Sequence, residues 1–190
     1  PTADMGMGMA SAGMDGAGWA RGLSGNKQLE WLVDCYRMRI DDDMCWGGGY
    51  MRGLYAKDDG ALISTDFLIF CKLAQANKAV PAGWDWVAFV RAAWRLLPHG
   101  FEKADAKDKW GGENVFAAVM GGRSLRATGE VVYGSSCMAM GPSAQFIAMQ
   151  AACHDWWPRA ETVCREVGGG TVWKELAHAL HEAGTLSREG

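Results

Sequence analysis

The sequence predicts an all-α protein: a single helical domain of about six helices, with a Gly-rich ordered loop and a flexible N-terminal extension. Three observations carry this. Apolar residues recur at three- and four-residue spacing in successive stretches. Gly or Pro punctuates most of the boundaries between them. The texture also changes at Lys27, where a leader dominated by Gly, Ala and Met gives way to periodic sequence.

Taken in order, residues 1–26 form the extension, 27–184 the domain and 185–190 a tail. Low-complexity sequence of this kind buries little and orders poorly by itself. The extension nevertheless holds several Met residues and Trp19, so any order in it would come from a partner or from the domain body. Leu29, Leu32, Val33, Tyr36 and Ile40 mark one face of a first helix, and Trp31, Cys35 and Met38 a second stripe beside it. A helix with two such stripes has contacts on more than one side. Residues 41–55, DDDMCWGGGYMRGLY, are expected as an ordered loop, because three consecutive glycines oppose a stable helix and permit positive φ.

Ser64 or Thr65 is expected to cap the second helix, with Asp66 in its first turn and Phe67, Phe70, Cys71 and Ala74 on its buried face. Trp86, Phe89, Val90, Ala93, Trp94 and Leu97 form the cleanest stripe, stopped by Pro98. Residues 99–112 are polar, and a short helix is expected from Glu113. Val131-Val132-Tyr133 fits a short strand or a helix end. Gly141-Pro142 opens a helix carrying Phe146, Met149, Cys153 and Trp157. Ala160, Val163, Cys164 and Val167 mark another, and Val172, Leu176, Ala179, Leu180 and Ala183 the last, with Gly184 suited to its C-terminal cap.

With 190 residues, 49% of them hydrophobic, the chain can bury a core without covalent staples. A net charge of −3 with signs interspersed opposes a clustered basic face, so neither nucleic acid as a partner nor a polybasic membrane anchor is expected. No uninterrupted apolar run reaches the ~18 residues of a transmembrane helix. Pro1 in place of an initiator Met leaves open a processed chain or a fragment of something longer. The six cysteines, Cys35, Cys45, Cys71, Cys137, Cys153 and Cys164, include no CxxC pair. They read as reduced thiols in an intracellular reducing compartment, cytoplasm or organelle interior, although the even count permits disulfides.

Several constellations invite a chemical reading and fail on spacing. A calcium loop alternates its ligands and closes with Glu in the twelfth position, whereas Asp41, Asp42 and Asp43 are adjacent and the twelfth residue is Arg52. Pairing of these carboxylates with Arg37, Arg39 or Arg52 is the expected alternative. Gly47-Gly48-Gly49 lacks the Lys or Ser/Thr that follows in a phosphate loop. His178 and His181, with Glu175 and Glu182, supply too few ligands in register for a structural zinc site and read as a solvated face. Cys153-His154-Asp155 cannot act as a relay, because successive helical residues diverge by about 100°. No catalytic, cofactor-binding or metal-binding residue is therefore assigned, and no cofactor is expected. The interaction candidates are Trp84 and Trp156, each beside a Trp that fits a core stripe, together with Asp42, Asp43 and Trp46.

The stretch from Leu29 to Gly134 resembles a helical domain of unassigned function that accompanies MYND-type zinc fingers in fungal and algal proteins. The residues that carry the likeness are Tyr36, Arg37, Arg39, Asp42 and Asp43, then Gly53-Leu54-Tyr55, Asp66 to Phe70, and Tyr133-Gly134. They span a little over half the chain. The closely spaced cysteine pairs of the finger are missing, so its zinc and peptide chemistry does not carry over. What the resemblance implies is a helical companion domain in which the Arg and Asp residues form an ion network.

The expected function is that of a non-enzymatic protein-interaction or scaffold protein, a peripheral subunit of a larger assembly. The alternative is a small-molecule binder or enzyme with a polar site in the 41–55 loop and Asp42 or Asp43 at its floor. A basic patch built from Arg37, Arg39, Arg52 and Arg126 would reopen nucleic-acid binding.

Overall fold

The computed structural model describes residues 16–47, 51–56, 60–111, 122–136, 138–139 and 141–152, with 172, 175–176 and 178. Six helices run through these residues: α1 (Gly25–Cys45), α2 (Gly60–Ala76), α3 (Trp86–Trp94), α4 (Lys103–Trp110), α5 (Leu125–Tyr133) and α6 (Ala144–Ala152). Short 3-10 turns at Gly18–Ala20 and Gly53–Tyr55 complete them, and no strand occurs among the described residues. The all-α expectation holds. Trp156, Cys153-His154-Asp155, His181 and the helix expected from Glu113 lie outside the described residues.

Helix α1 is central. Every residue from Trp31 to Ile40 is buried, so both predicted stripes are occupied and the polar positions between them are enclosed as well. It packs against α5 and α3, while α2 packs against α5, α6 and the Gly53–Tyr55 turn. Aromatic rings tie these layers together. Tyr36 of α1 meets Phe67 at 5.0 Å and Phe70 at 5.2 Å on α2. Phe67 continues to Phe89 of α3 at 5.4 Å, and Phe70 to Tyr133 of α5 at 5.7 Å. Tyr133 reaches Phe146 of α6 at 5.8 Å. Offset and edge-on contacts at these centroid distances add to the free energy of burying the rings.

Several boundaries differ from expectation for identifiable reasons. Asp41, Asp42 and Asp43 belong to α1 and not to a loop, because each carboxylate has a partner that helical geometry presents to it. The chain leaves the helix only at Trp46 and Gly47, whose N–H groups donate to the carbonyls of Asp42 and Asp43. Helix α2 starts at Gly60, so Ser64, Thr65 and Asp66 sit inside it rather than at its cap, and upstream Ile63 already belongs to the core. Helix α3 ends at Trp94, which is 38% exposed, and the Ala93 carbonyl takes both the Leu96 and Leu97 N–H as the chain tightens before Pro98. Val131, Val132 and Tyr133 finish a helix, not a strand.

The polar stretch after His99 conceals α4, whose only buried residue is Ala106. Such a helix has no apolar stripe to betray it. It is set by a local contact, Asp105 accepting from the Glu102 N–H at 2.8 Å, and by Gly111 in the left-handed conformation at its end. At the other end of the chain, Trp19 and Ala20 pack on the domain, whereas Arg21, Gly22 and Ser24 are exposed. Trp19 is buried and its indole N–H donates to the Ala79 carbonyl at 2.7 Å.

Two positive-φ positions shape the frame. Gly53, at φ 54°, lies under α1, where an added Cβ would come within 2.6 Å of Ile40 Cδ1 and 2.8 Å of the Tyr36 hydroxyl. Only glycine lets the turn approach so closely. Lys78, at φ 52°, is the one non-glycine residue among the described residues with this geometry. It closes α2 in a Schellman arrangement: the Ala79 N–H donates to the Ala74 carbonyl and the Lys78 N–H to the Gln75 carbonyl. Glycine is the residue usually found there. Lys78→Gly should therefore raise stability by about 0.5–1 kcal/mol, the relief of left-handed strain exceeding the extra freedom given to the unfolded chain. A shift of the urea midpoint to higher concentration at unchanged m-value is the expected readout.

Candidate functional site

The polar residues enclosed around α1 form a chain of ion pairs. At its N-terminal end Asp34, with no exposed surface, accepts from Arg37 at 2.8 Å, from the Trp110 indole at 2.9 Å and from Lys109 at 2.7 Å. Arg37 also donates to the His99 and Gly100 carbonyls, pinning the segment before α4. It pairs with Asp34 and not with the acidic triplet. About two turns on from Asp34, both oxygens of Asp42 are held by Arg126 of α5 in a two-pronged contact at 2.8 and 2.7 Å. Planar bidentate geometry of this kind is the strongest form of the pair.

Asp43 joins two arginines. Its Oδ1 accepts from Arg39 at 2.8 Å, and its Oδ2 from Arg52 at 3.0 and 2.7 Å. Arg52 then reaches Asp66 of α2 at 2.6 Å, on the oxygen that also accepts the Tyr36 hydroxyl at 2.8 Å. Arg39 extends the other way, to the carbonyl and hydroxyl of Ser135 beyond α5. Burial alone would weaken protonation of Arg52, but Asp66 and Asp43 more than offset it, so the guanidinium is held more firmly protonated than in water. The expected pairing of the triplet with Arg39 and Arg52 is thus present, with Arg126 as a partner not anticipated. Asp41, the outermost of the three, accepts from the Tyr55 hydroxyl at 3.0 Å.

Tyr133 sits between the cations, its ring 4.6 Å from the Arg39 guanidinium and 4.9 Å from that of Arg52. Its hydroxyl is buried with no hydrogen-bond partner among the described residues. Beside it is a narrow cavity of about 10 Å³ lined in part by Arg39, Asp43, Arg52, Ser135 and Ser143. That volume corresponds to about one water molecule. No group of three or more His, Cys, Asp or Glu among the described residues is placed to hold a metal ion.

Of the residues singled out from sequence, Asp42 and Asp43 are inward and fully engaged, while Trp46 is 63% exposed at the end of α1. Trp84 is half-buried, edge-on to Trp19 at 5.9 Å and to Phe89 at 5.5 Å. Its indole N–H is buried with no acceptor among the described residues, and it lines a groove of about 780 Å³. Sequence reasoning missed Tyr133, Met138 and Lys78. Tyr133 reads as an ordinary apolar position, Met138 falls in an aperiodic loop, and nothing in a sequence announces a left-handed lysine. Glu175 and His178 are exposed and Val172 and Leu176 buried, as expected of the last helix's two faces.

Comparison of the chain with family models gave no match, and neither curated proteins nor solved structures matched it.

Two outcomes follow from the network. Replacing Arg52 by Met leaves Asp43 and Asp66 enclosed without their shared cation and should cost ~3–5 kcal/mol in urea unfolding. A double-mutant cycle with Asp66→Asn should give a coupling of at least ~1 kcal/mol.

The second concerns alkali. Burial raises the phenols of Tyr36 and Tyr133 well above the ordinary range, and burial with the Asp41 contact pushes Tyr55 to about 12. Each folded-state value exceeds the unfolded one. Their contribution to stability is therefore full below an unfolded tyrosine pKa of ~10 and is lost as pH rises above it. Ultraviolet titration should show these phenols un-ionised at the pH where free tyrosine is half ionised, and released together with the loss of helix.

Proposed function

We propose that this chain is a non-enzymatic interaction protein, a peripheral subunit of a larger assembly, and that it meets its partner through the surface around Trp46. One observation carries the reading. Trp46, Met51, Met138 and Ile147 are 63, 55, 68 and 52% exposed. Each is the chain neighbour of a residue lining the arginine–tyrosine cavity: Gly47, Arg52, Ala139 and Phe146. Exposed large apolar residues thus stand next in sequence to cavity-lining residues at each of these four places. Exposed apolar clusters mark contact surfaces, and Trp and Met are favoured residues in them. The ion pairs beneath hold these segments in place before any partner arrives, which lowers the entropy lost on binding.

The alternative, a ligand site founded on Asp42 or Asp43, needs a carboxylate available to a ligand. Arg126 occupies both oxygens of Asp42, and Arg39 and Arg52 those of Asp43, so support for that reading is slight. Nucleic-acid binding is likewise disfavoured, since Arg37, Arg39, Arg52 and Arg126 all meet carboxylates. Kinship with the companion domain of MYND-type fingers belongs to the same proposal and assigns no chemistry to it. A reducing compartment belongs to it too: Cys35, Cys45 and Cys71 are thiols, and burial holds Cys71 far from the range in which thiolate forms.

Native mass tests the reading. Protein taken gently from its source should elute in light-scattering chromatography well above 20.6 kDa with other chains present, and Trp46→Glu should release it. A wild-type monomer at native concentration contradicts the proposal.

A further inference from the structure

We propose that the cavity beside Tyr133 is a binding site for one ordered water molecule, which accepts the hydrogen bond of the Tyr133 hydroxyl and joins that phenol to the Asp43 ion pairs. The site belongs to the ion network and is independent of any contact made by Trp46.

The hydroxyl is the starting point. Tyr133 is 2% exposed, and its oxygen has no hydrogen-bond partner among the described residues. Burial raises the phenol further than Arg52 and Arg39 lower it, so it stays protonated and has a proton to donate. A buried O–H that donates to nothing costs free energy, and native structures leave few of them. The cavity at its side, about 10 Å³, is the size of a single water.

An internal water takes two to four polar partners, and the lining supplies them. Asp43 accepts once from Arg39 and twice from Arg52, whereas a carboxylate has room for about four such bonds. The Ser143 hydroxyl donates to the Tyr133 carbonyl at 2.9 Å and accepts from the Phe146 N–H at 3.2 Å, which leaves it one lone pair. The Ser135 hydroxyl, held by Arg39 at 3.1 Å, keeps acceptor capacity too. The surroundings thus offer one unused donor, the phenol, and several unused acceptors. A molecule that accepts once and donates twice within this volume is water.

Charge points the same way. Arg39 and Arg52 are already met by Asp43 and Asp66. A small anion would lie against the Asp43 carboxylate, and like charges at close range repel. A neutral ligand carries no such cost. The water also has a structural consequence, because Tyr133 ends α5, Ser143 immediately precedes α6 and Asp43 belongs to α1. Its hydrogen bonds tie the loop between α5 and α6 to the central helix.

The test is a crystal structure of the full chain, grown from a bromide salt at a resolution that shows ordered water, with Tyr133→Phe unfolded in urea alongside. Density for one oxygen is expected within hydrogen-bond distance of the Tyr133 hydroxyl and of Asp43 or a serine hydroxyl, with no anomalous bromide signal there. Phe keeps the ring between the two guanidinium groups and removes only the hydroxyl. Tyr133→Phe should lower the urea midpoint, since the water then loses its donor; removal of a hydroxyl that bonds to nothing would raise it. A site without density, bromide in the place of water, or a midpoint unchanged or raised in Tyr133→Phe would each overturn the proposal.

Discussion

A guanidinium enclosed to 5% exposure requires carboxylates around it, and the described fold meets that requirement for Arg52 by drawing two elements together. Asp43 comes from the end of α1 and Asp66 from the interior of α2. Arg52 itself arrives on the short segment that leads into the Gly53–Tyr55 turn, and Gly53 lets that turn pass within contact distance of Tyr36 and Ile40. The register of α1 on α2 is therefore fixed by charge as well as by rings. Removing either partner would leave an enclosed ion, which is far costlier than losing a surface pair. The same logic repeats along α1: Asp42 with Arg126 fixes α5, and Asp34 with Arg37 and Lys109 fixes α4 and the segment before it.

This explains how much of the fold could be read from sequence. The apolar stripes of α1, α2 and α3 are visible because period and burial coincide at Leu32, Tyr36, Phe67, Phe70, Phe89 and Val90. The acidic triplet misleads because consecutive aspartates followed by glycines look like a loop, whereas here distant arginines neutralise them inside a helix. Arg126 is eighty-odd residues from Asp42, and no local pattern connects them. Helix α4 was invisible for the opposite reason: it depends on a cap contact and on Lys109 and Trp110 reaching Asp34, with almost no apolar face of its own. That an ion network would exist was legible from Arg37, Arg39, Asp42 and Asp43. Which arginine meets which aspartate was not.

The candidate site follows the same division. Trp84 was distinguishable as the aromatic residue left over beside a core stripe and Trp46 by its place in the segment of carboxylates and glycines; Trp84 lines a groove, and Trp46 precedes the cavity-lining Gly47. The surroundings that give them meaning depend on the fold. Met138 lies on the loop after α5, which Arg39 ties down through the Ser135 carbonyl, next to the cavity-lining Ala139. Lys78 comes to the Trp84 side through the left-handed end of α2. The inner arginines tie the elements together, and Trp46, Met51, Met138 and Ile147 remain exposed. Among the described residues, the enclosed carboxylates Asp34, Asp42, Asp43 and Asp66 each accept from a cation.

The most direct measurement of the central claim is the hydrogen exchange of the arginine Nε–H groups, followed by nuclear magnetic resonance on the intact chain. Arg37, Arg39, Arg52 and Arg126 each donate through Nε to a carbonyl or carboxylate. All four resonances should be resolved and exchange slowly, with restricted rotation of the guanidinium. Rapid exchange at Arg39 and Arg52, equal to that of a solvent-exposed arginine, would contradict the account and dissolve the network on which the register of α1, α2 and α5 depends.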